Sequence, residues 1–135
     1  MTRQEVEALI ESSRRSFRGE SEIVIGPNLH GADLAGVDLS FLDLSGANLH
    51  GADLSASNLS GANLCGANLH GARLSKANLT AACLDQCNLH GADLSESNCV
   101  NATFKRANLS ESDFRRAKSL DEKSLEKANL TGRKK

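Results

Sequence analysis

From Pro27 to Arg116 apolar residues recur on a period of five: two inward-type positions, then three polar or small ones. Written in fives the stretch begins "PNLHG ADLAG VDLSF LDLSG ANLHG ADLSA" and runs unbroken for 90 residues, or 18 pentapeptides. With the central position called i, Leu occupies it in 15 of the 18, Phe at Phe104 and Phe114, and Cys at Cys99. A period of five fits neither the 3.6-residue repeat of a helix nor the two-residue alternation of a strand. It predicts a short extended side followed by a corner. A longer period lies on top: "NLHGADL" occurs at 28–34, 48–54 and 88–94, with "NLHGARL" at 68–74, always 20 residues apart or a multiple of it. Four sides of five close one turn of 20 residues, so residues 20 apart stack at the roughly 4.8 Å spacing of paired strands. One turn cannot bury its apolar positions, whereas a stack of turns can.

The expected core centres are Leu39, Leu44, Leu49, Leu54, Leu59, Leu64, Leu69, Leu74, Leu79, Leu84, Leu89, Leu94, Phe104, Leu109 and Phe114. Each fully buried Leu contributes about 1.5–3 kcal/mol. Position i−2 is Ala in 11 of 18 pentapeptides, small because it meets a corner that a larger side chain would overpack. Val37 and Leu42 depart from that rule side by side in the first turn, with Phe41 between them expected to face outward. Three bulky apolar residues together predict a cover over this end.

These repeats resemble the pentapeptide-repeat family, whose motif is A(D/N)LXX. The resemblance spans Pro27–Ala117. It implies an all-β fold, a right-handed quadrilateral β-helix with i and i−2 inward. The periods and inward positions come from the residues themselves; the handedness and square section come from the resemblance.

Solenoid ends expose core and unpaired backbone and need caps. Residues 1–26 read as an N-terminal helix and cap. Thr2 and Glu5 make a capping-box pattern, and Val6, Leu9 and Ile10 follow at helical spacing, predicting a helix near Arg3–Ser13 folded over the first turn. "FRG" at 17–19 reads as a degenerate repeat, and "EIVIG" leads into the first turn. Residues 118–135 read as a C-terminal capping helix, from about Leu120 to Lys127, with a disordered basic tail "TGRKK". The rival is a continuation of the repeat shifted by one residue, centred on Leu120, Leu125 and Leu130. It would place Lys118 and Lys123 at the inward i−2 position, and burying an unpaired lysine is costly. The helix is preferred on that ground.

Composition narrows the function classes. With 16 basic and 17 acidic residues, net charge favours neither a nucleic acid nor a membrane as partner. No apolar run reaches the roughly 18 residues of a membrane span. The charged N-terminus lacks a signal-peptide apolar region. The cysteines, Cys65, Cys83, Cys87 and Cys99, have no paired CxxC spacing and are expected to be reduced thiols in a cytoplasmic protein. Cys83 is expected outward, Cys87 and Cys99 inward.

With a period of 20 each face reads as a column. The first carries Asn28, Asn48, Asn68, Asn88 and Asn108 at i−1, whose amides could form a ladder, beside His30, His50, His70 and His90 at i+1. The second carries Asp33, Asp53, Arg73, Asp93 and Asp113, with Arg73 placed to pair with Asp53 and Asp93. From Pro27 to Ala72 there are four Asp and no Lys or Arg; Lys105, Arg106, Arg115, Arg116 and Lys118 gather near the other end. No acid–base pair, phosphate loop or metal-ligand constellation stands out, so neither an enzyme nor a cofactor is expected. The leading expectation is a structural or interaction module offering flat polar faces to an unknown protein partner, as a monomer or weak end-to-end dimer. The His column and Lys105, Arg106, Arg115 and Arg116 are its candidate surfaces. Two alternatives stand beside it. One is the DNA mimicry of a type II topoisomerase substrate that the resemblance to quinolone-resistance relatives implies. The other is weak metal binding by the stacked histidines.

Overall fold

The computed structural model describes residues 2–15 and 28–135. A helix, α1 (Arg3–Arg15), precedes the repeats. The Glu5 N–H donates to Thr2 Oγ1 at 3.1 Å, the first half of the capping box read from the sequence. Val6 and Ile10 are buried and join the solenoid core, with Leu9 half-buried at the margin. Arg14 donates to the Ser40 and Asp38 carbonyls at 3.0 and 3.2 Å, and Arg3 reaches Asp33 at 3.4 Å. These contacts lay α1 across the first turn. Val37 and Leu42 are buried, but Phe41 is 79% exposed and lies outside the covered surface. Its backbone φ of +60° at a corner turns the side chain away from the lumen. The segments "FRG" and "EIVIG" lie outside the described residues.

From Asn28 onward the chain coils with parallel bridges between residues 20 apart, from Asn28↔Asn48 to Asn98↔Lys118. Three hydrogen bonds repeat between successive turns. The i N–H donates to the i−1 carbonyl of the next turn (Leu54 to Arg73, 2.7 Å). The i−1 N–H donates back to the i−2 carbonyl of the turn before (Arg73 to Ala52, 2.9 Å). The i+2 N–H donates forward to i+1 (Gly71 to His90, 2.8 Å). Each corner closes with an i+3 N–H to i carbonyl bond, as from Ala72 to Leu69 at 3.0 Å. Position i+2 has φ between +55° and +71°, the left-handed region that favours glycine in a type II turn; Gly fills it in 8 of the 18 repeats, and residues such as Phe41, Ala81 and Arg106 adopt the same φ in the rest. The Leu centres are at most 1% exposed from Leu29 to Leu109, so the lumen is filled, as the period of five predicts. Phe104 and Phe114 meet edge to face at 5.7 Å.

The C-terminal expectation needs correction. In place of a helix over Leu120–Lys127 there is only a 3-10 turn, Glu122–Leu125, with Asp121 as its N-cap. The solenoid then resumes one residue out of step, in bridges Asn108↔Asn129 and Asp113↔Lys134. The Leu109, Glu111 and Phe114 N–H groups donate to Asn129, Thr131 and Lys134 at 2.8, 2.8 and 2.7 Å. "TGRKK" is therefore the last side of the coil rather than a disordered tail. The burial objection fails because the extra residue is absorbed in the 3-10 turn. Lys118 keeps the old register opposite Asn98, and both Lys118 and Lys123 stay exposed. Arg133 takes the i−2 place and sets its guanidinium 5.8 Å from the centre of the Phe114 ring, covering that end of the lumen.

Candidate functional site

With the lumen filled, chemistry is confined to the faces. On face 1 (centres Leu29, Leu49, Leu69, Leu89, Leu109) the i−1 Asn is first a backbone device. Its Oδ1 accepts the N–H of i+1, as Asn48 does from His50 at 3.2 Å. The amide ladder is partial, with Asn48 donating to Asn28 at 3.3 Å and Asn88 to Asn68 at 3.5 Å. The histidines do form a column. His30, His50 and His70 stack at 4.9 and 4.8 Å with planes 25° and 14° apart, and His90 meets His70 edge-on at 5.1 Å. His90 Nδ1 is 2.7 Å from Ser110 Oγ. Lone pairs on near-parallel rings run side by side and do not converge on one ion. Among the described residues no group of three or more His, Cys, Asp or Glu is placed to hold a metal.

Face 2 is laced with ion pairs. Arg73 reaches Asp53 at 3.9 Å, while no bond to Asp93 accompanies it. Arg115 grips Asp113 at 2.8 Å, and Arg116 and Lys76 share Glu96 at 3.7 and 3.9 Å. This separates the expected basic cluster in two. Arg115 and Arg116 are engaged on face 2, while Lys105 and Arg106 stand exposed on face 4, unpaired among the described residues. Asp and Ser two apart share a second motif. Ser40 and Ser45 hydroxyls donate to Asp38 and Asp43 at 2.6 Å, and Ser55 likewise to Asp53. The hydroxyl first, then the backbone N–H of the same serine, lowers these three carboxyls below their ordinary pKa. The Arg115 side chain is the leading cause of the same shift at Asp113.

The reduced-thiol expectation holds for two cysteines only. Cys65 and Cys83 form a disulfide, with Cα atoms 5.8 Å apart. Their separation of 18 is diagonal adjacency in a 20-residue coil, from i+1 of one turn to i−1 of the next on face 4. Cys87 and Cys99 are buried free thiols, as their inward register predicts. Burial pushes the Cys87 pKa up to about 12 and raises that of Cys99, so neither is a ready nucleophile.

Two shallow hollows flank the register break, and the repeat pattern gave no sign of them. One of about 480 Å³ lies between Val100–Thr103 and Ser119–Ser124, beside Lys105. The other, about 260 Å³, lies among Asp85, Gln86, Lys105, Arg106, Glu126 and Lys127. Both are open; the smaller is lined almost wholly by charged side chains, the larger by polar and apolar atoms in comparable measure, including Val100 and Ala102. Among the described residues no helix is long and apolar enough to cross a membrane.

The family profile of pentapeptide repeats matches residues 25–51, 47–86 and 82–118, in 8 copies. The chain belongs to the pentapeptide-repeat family. Two solved pentapeptide-repeat proteins match it over nearly their whole lengths. One from Nostoc Pcc 7120 is 31% identical over 92% of this chain and 93% of its own, with a TM-score of 0.69. Another, from the cyanobacterium Cyanothece 51142, is 28% identical over 93% and 94%, with a TM-score of 0.70. No curated protein sequence matches the chain closely. The right-handed quadrilateral β-helix is thus the fold of this pentapeptide-repeat protein.

Proposed function

We propose that this pentapeptide-repeat protein is a non-enzymatic interaction module, and that face 1 is the surface it offers to a protein partner. The observation that carries this is the stacked column of His30, His50, His70 and His90 on a face whose own backbone bonds are already satisfied. His30, His50 and His70 are exposed, amphipathic imidazoles that offer both apolar and hydrogen-bonding contact, with His90 half-buried beside them, and rigid stacking lowers the entropy lost on binding. Face 2, by contrast, holds Asp53 and Asp113 in pairs with Arg73 and Arg115. Mimicry of duplex DNA would need an unbroken acidic column, and here Arg73 pairs with Asp53 and Arg115 with Asp113.

The test is affinity capture from extract of the protein's own cells, using the full chain and two variants. His50→Ser/His70→Ser should lose the specifically retained partner, while Lys76→Ser on face 2 should keep it. A partner retained equally by both variants would remove face 1 from the proposal.

A further inference from the structure

Face 3 carries, at i−1, Asp38 in the first turn, then Asn58, Asn78 and Asn98, and Lys118 in the fifth. Its charges are therefore of opposite sign at the two ends, about 19 Å apart at the strand spacing, with neutral amides between. At the first end Asp38 lies 3.5 Å from Arg14, with Asp43 one side further round on face 4. At the other end Lys118 is exposed, and Lys105, Lys123 and Asp121 line the neighbouring hollow.

The corner beside this face repeats the same order in shape. Phe41 is 79% exposed, with its ring laid over Gly61, where any Cβ would clash with it. Small residues follow, Gly61 and then the exposed Ala81. The hollow of about 480 Å³ lies on the same edge between the fourth and fifth turns. An aromatic bulge, a flat middle and a hollow are thus arranged symmetrically about the third turn, at Ala81.

We propose that two copies of this chain pair side by side and antiparallel through face 3, about a two-fold axis passing near Ala81. The rotation sets Phe41 of one copy at the hollow of the other, and the Asp38 end against the Lys118 end, twice over. That is the self-complementarity a two-fold interface requires. It removes an exposed aromatic ring from water, and it leaves face 1 open, so it is independent of the function proposed above.

Sedimentation velocity at rising concentration, together with cysteine cross-linking, tests it. Ala81→Cys sits on the axis and should cross-link with its own copy on mild oxidation, whereas Ser75→Cys on face 2 should not. Phe41→Ser should keep the fold, since the ring is exposed, and weaken the dimer roughly tenfold or more. Lys118→Asp should weaken it too, and added salt should do so for the parent chain. A chain that stays monomeric with Ala81→Cys unlinked overturns the proposal. So does a dimer that neither Phe41→Ser nor Lys118→Asp affects, because it would use another surface.

Discussion

Leu64 is fully enclosed in a stack whose every turn is hydrogen-bonded to the next, so the walls cannot close on a gap. Leu64→Ala is expected to cost about 2–5 kcal/mol in urea unfolding; an unchanged midpoint would mean the lumen is loosely packed. The aspartates make a second residue-scale prediction. Asp38, Asp43, Asp53 and Asp113 all titrate below the ordinary 3.8 in the folded chain. A carboxyl with a lowered folded pKa contributes stability above its unfolded pKa and loses it as pH falls through the folded one. Stability should therefore decline as pH drops below 3.8. Asp43→Asn should shallow that decline at little cost, because Asn58 already makes the same bonds to Ser60 at 3.1 and 2.7 Å. Melting curves from pH 7 to 2.5 would show an unaltered acid limb if these carboxyls were irrelevant. The lumen leucines were legible in the sequence because each recurs every fifth residue. The Asp–Ser pairing was not, since period alone does not say that i−1 turns its oxygen back onto i+1.

At the scale of elements, α1 is a cap whose stripe could be read directly. Val6 and Ile10 need a surface, and Val37 and Leu42 mark where it lies. Deleting residues 1–20 should lower the melting temperature and promote association through the bared first turn. A truncated chain as stable and monodisperse as the parent would show that α1 does not serve as a cap. The other end departs from the sequence expectation although its premise is sound. Buried lysines are costly, but a one-residue insertion taken up by the 3-10 turn leaves Lys118 and Lys123 in water. The two hollows lie beside that insertion, where a register drawn in unbroken fives no longer holds. The disulfide was missed for a geometric reason, since 18 is remote along the chain yet adjacent between turns. Reduction of Cys65–Cys83, or Cys65→Ser, should cost about 3 kcal/mol by the loop-entropy estimate. Thermal melts with and without reductant would decide it, and equal midpoints would deny the staple any stabilising role.

Over the whole molecule, the candidate surfaces fare unequally. The His column keeps its place as a column. The basic cluster is divided between an engaged face 2 and an open face 4, because pairing depends on what stands one turn away rather than on sequence proximity. Everything proposed of the faces rests on one continuous rod from Asn28 to Lys134 whose interior offers no site. Residue-resolved hydrogen exchange on the full chain tests that directly. A continuous rod predicts that the amides of Leu54, Leu74 and Leu94 exchange only through global unfolding, with Leu109 and Phe114 protected by their bonds to Asn129 and Lys134. Free exchange at Leu109 and Phe114, or a block of turns opening well below the global free energy, would contradict it.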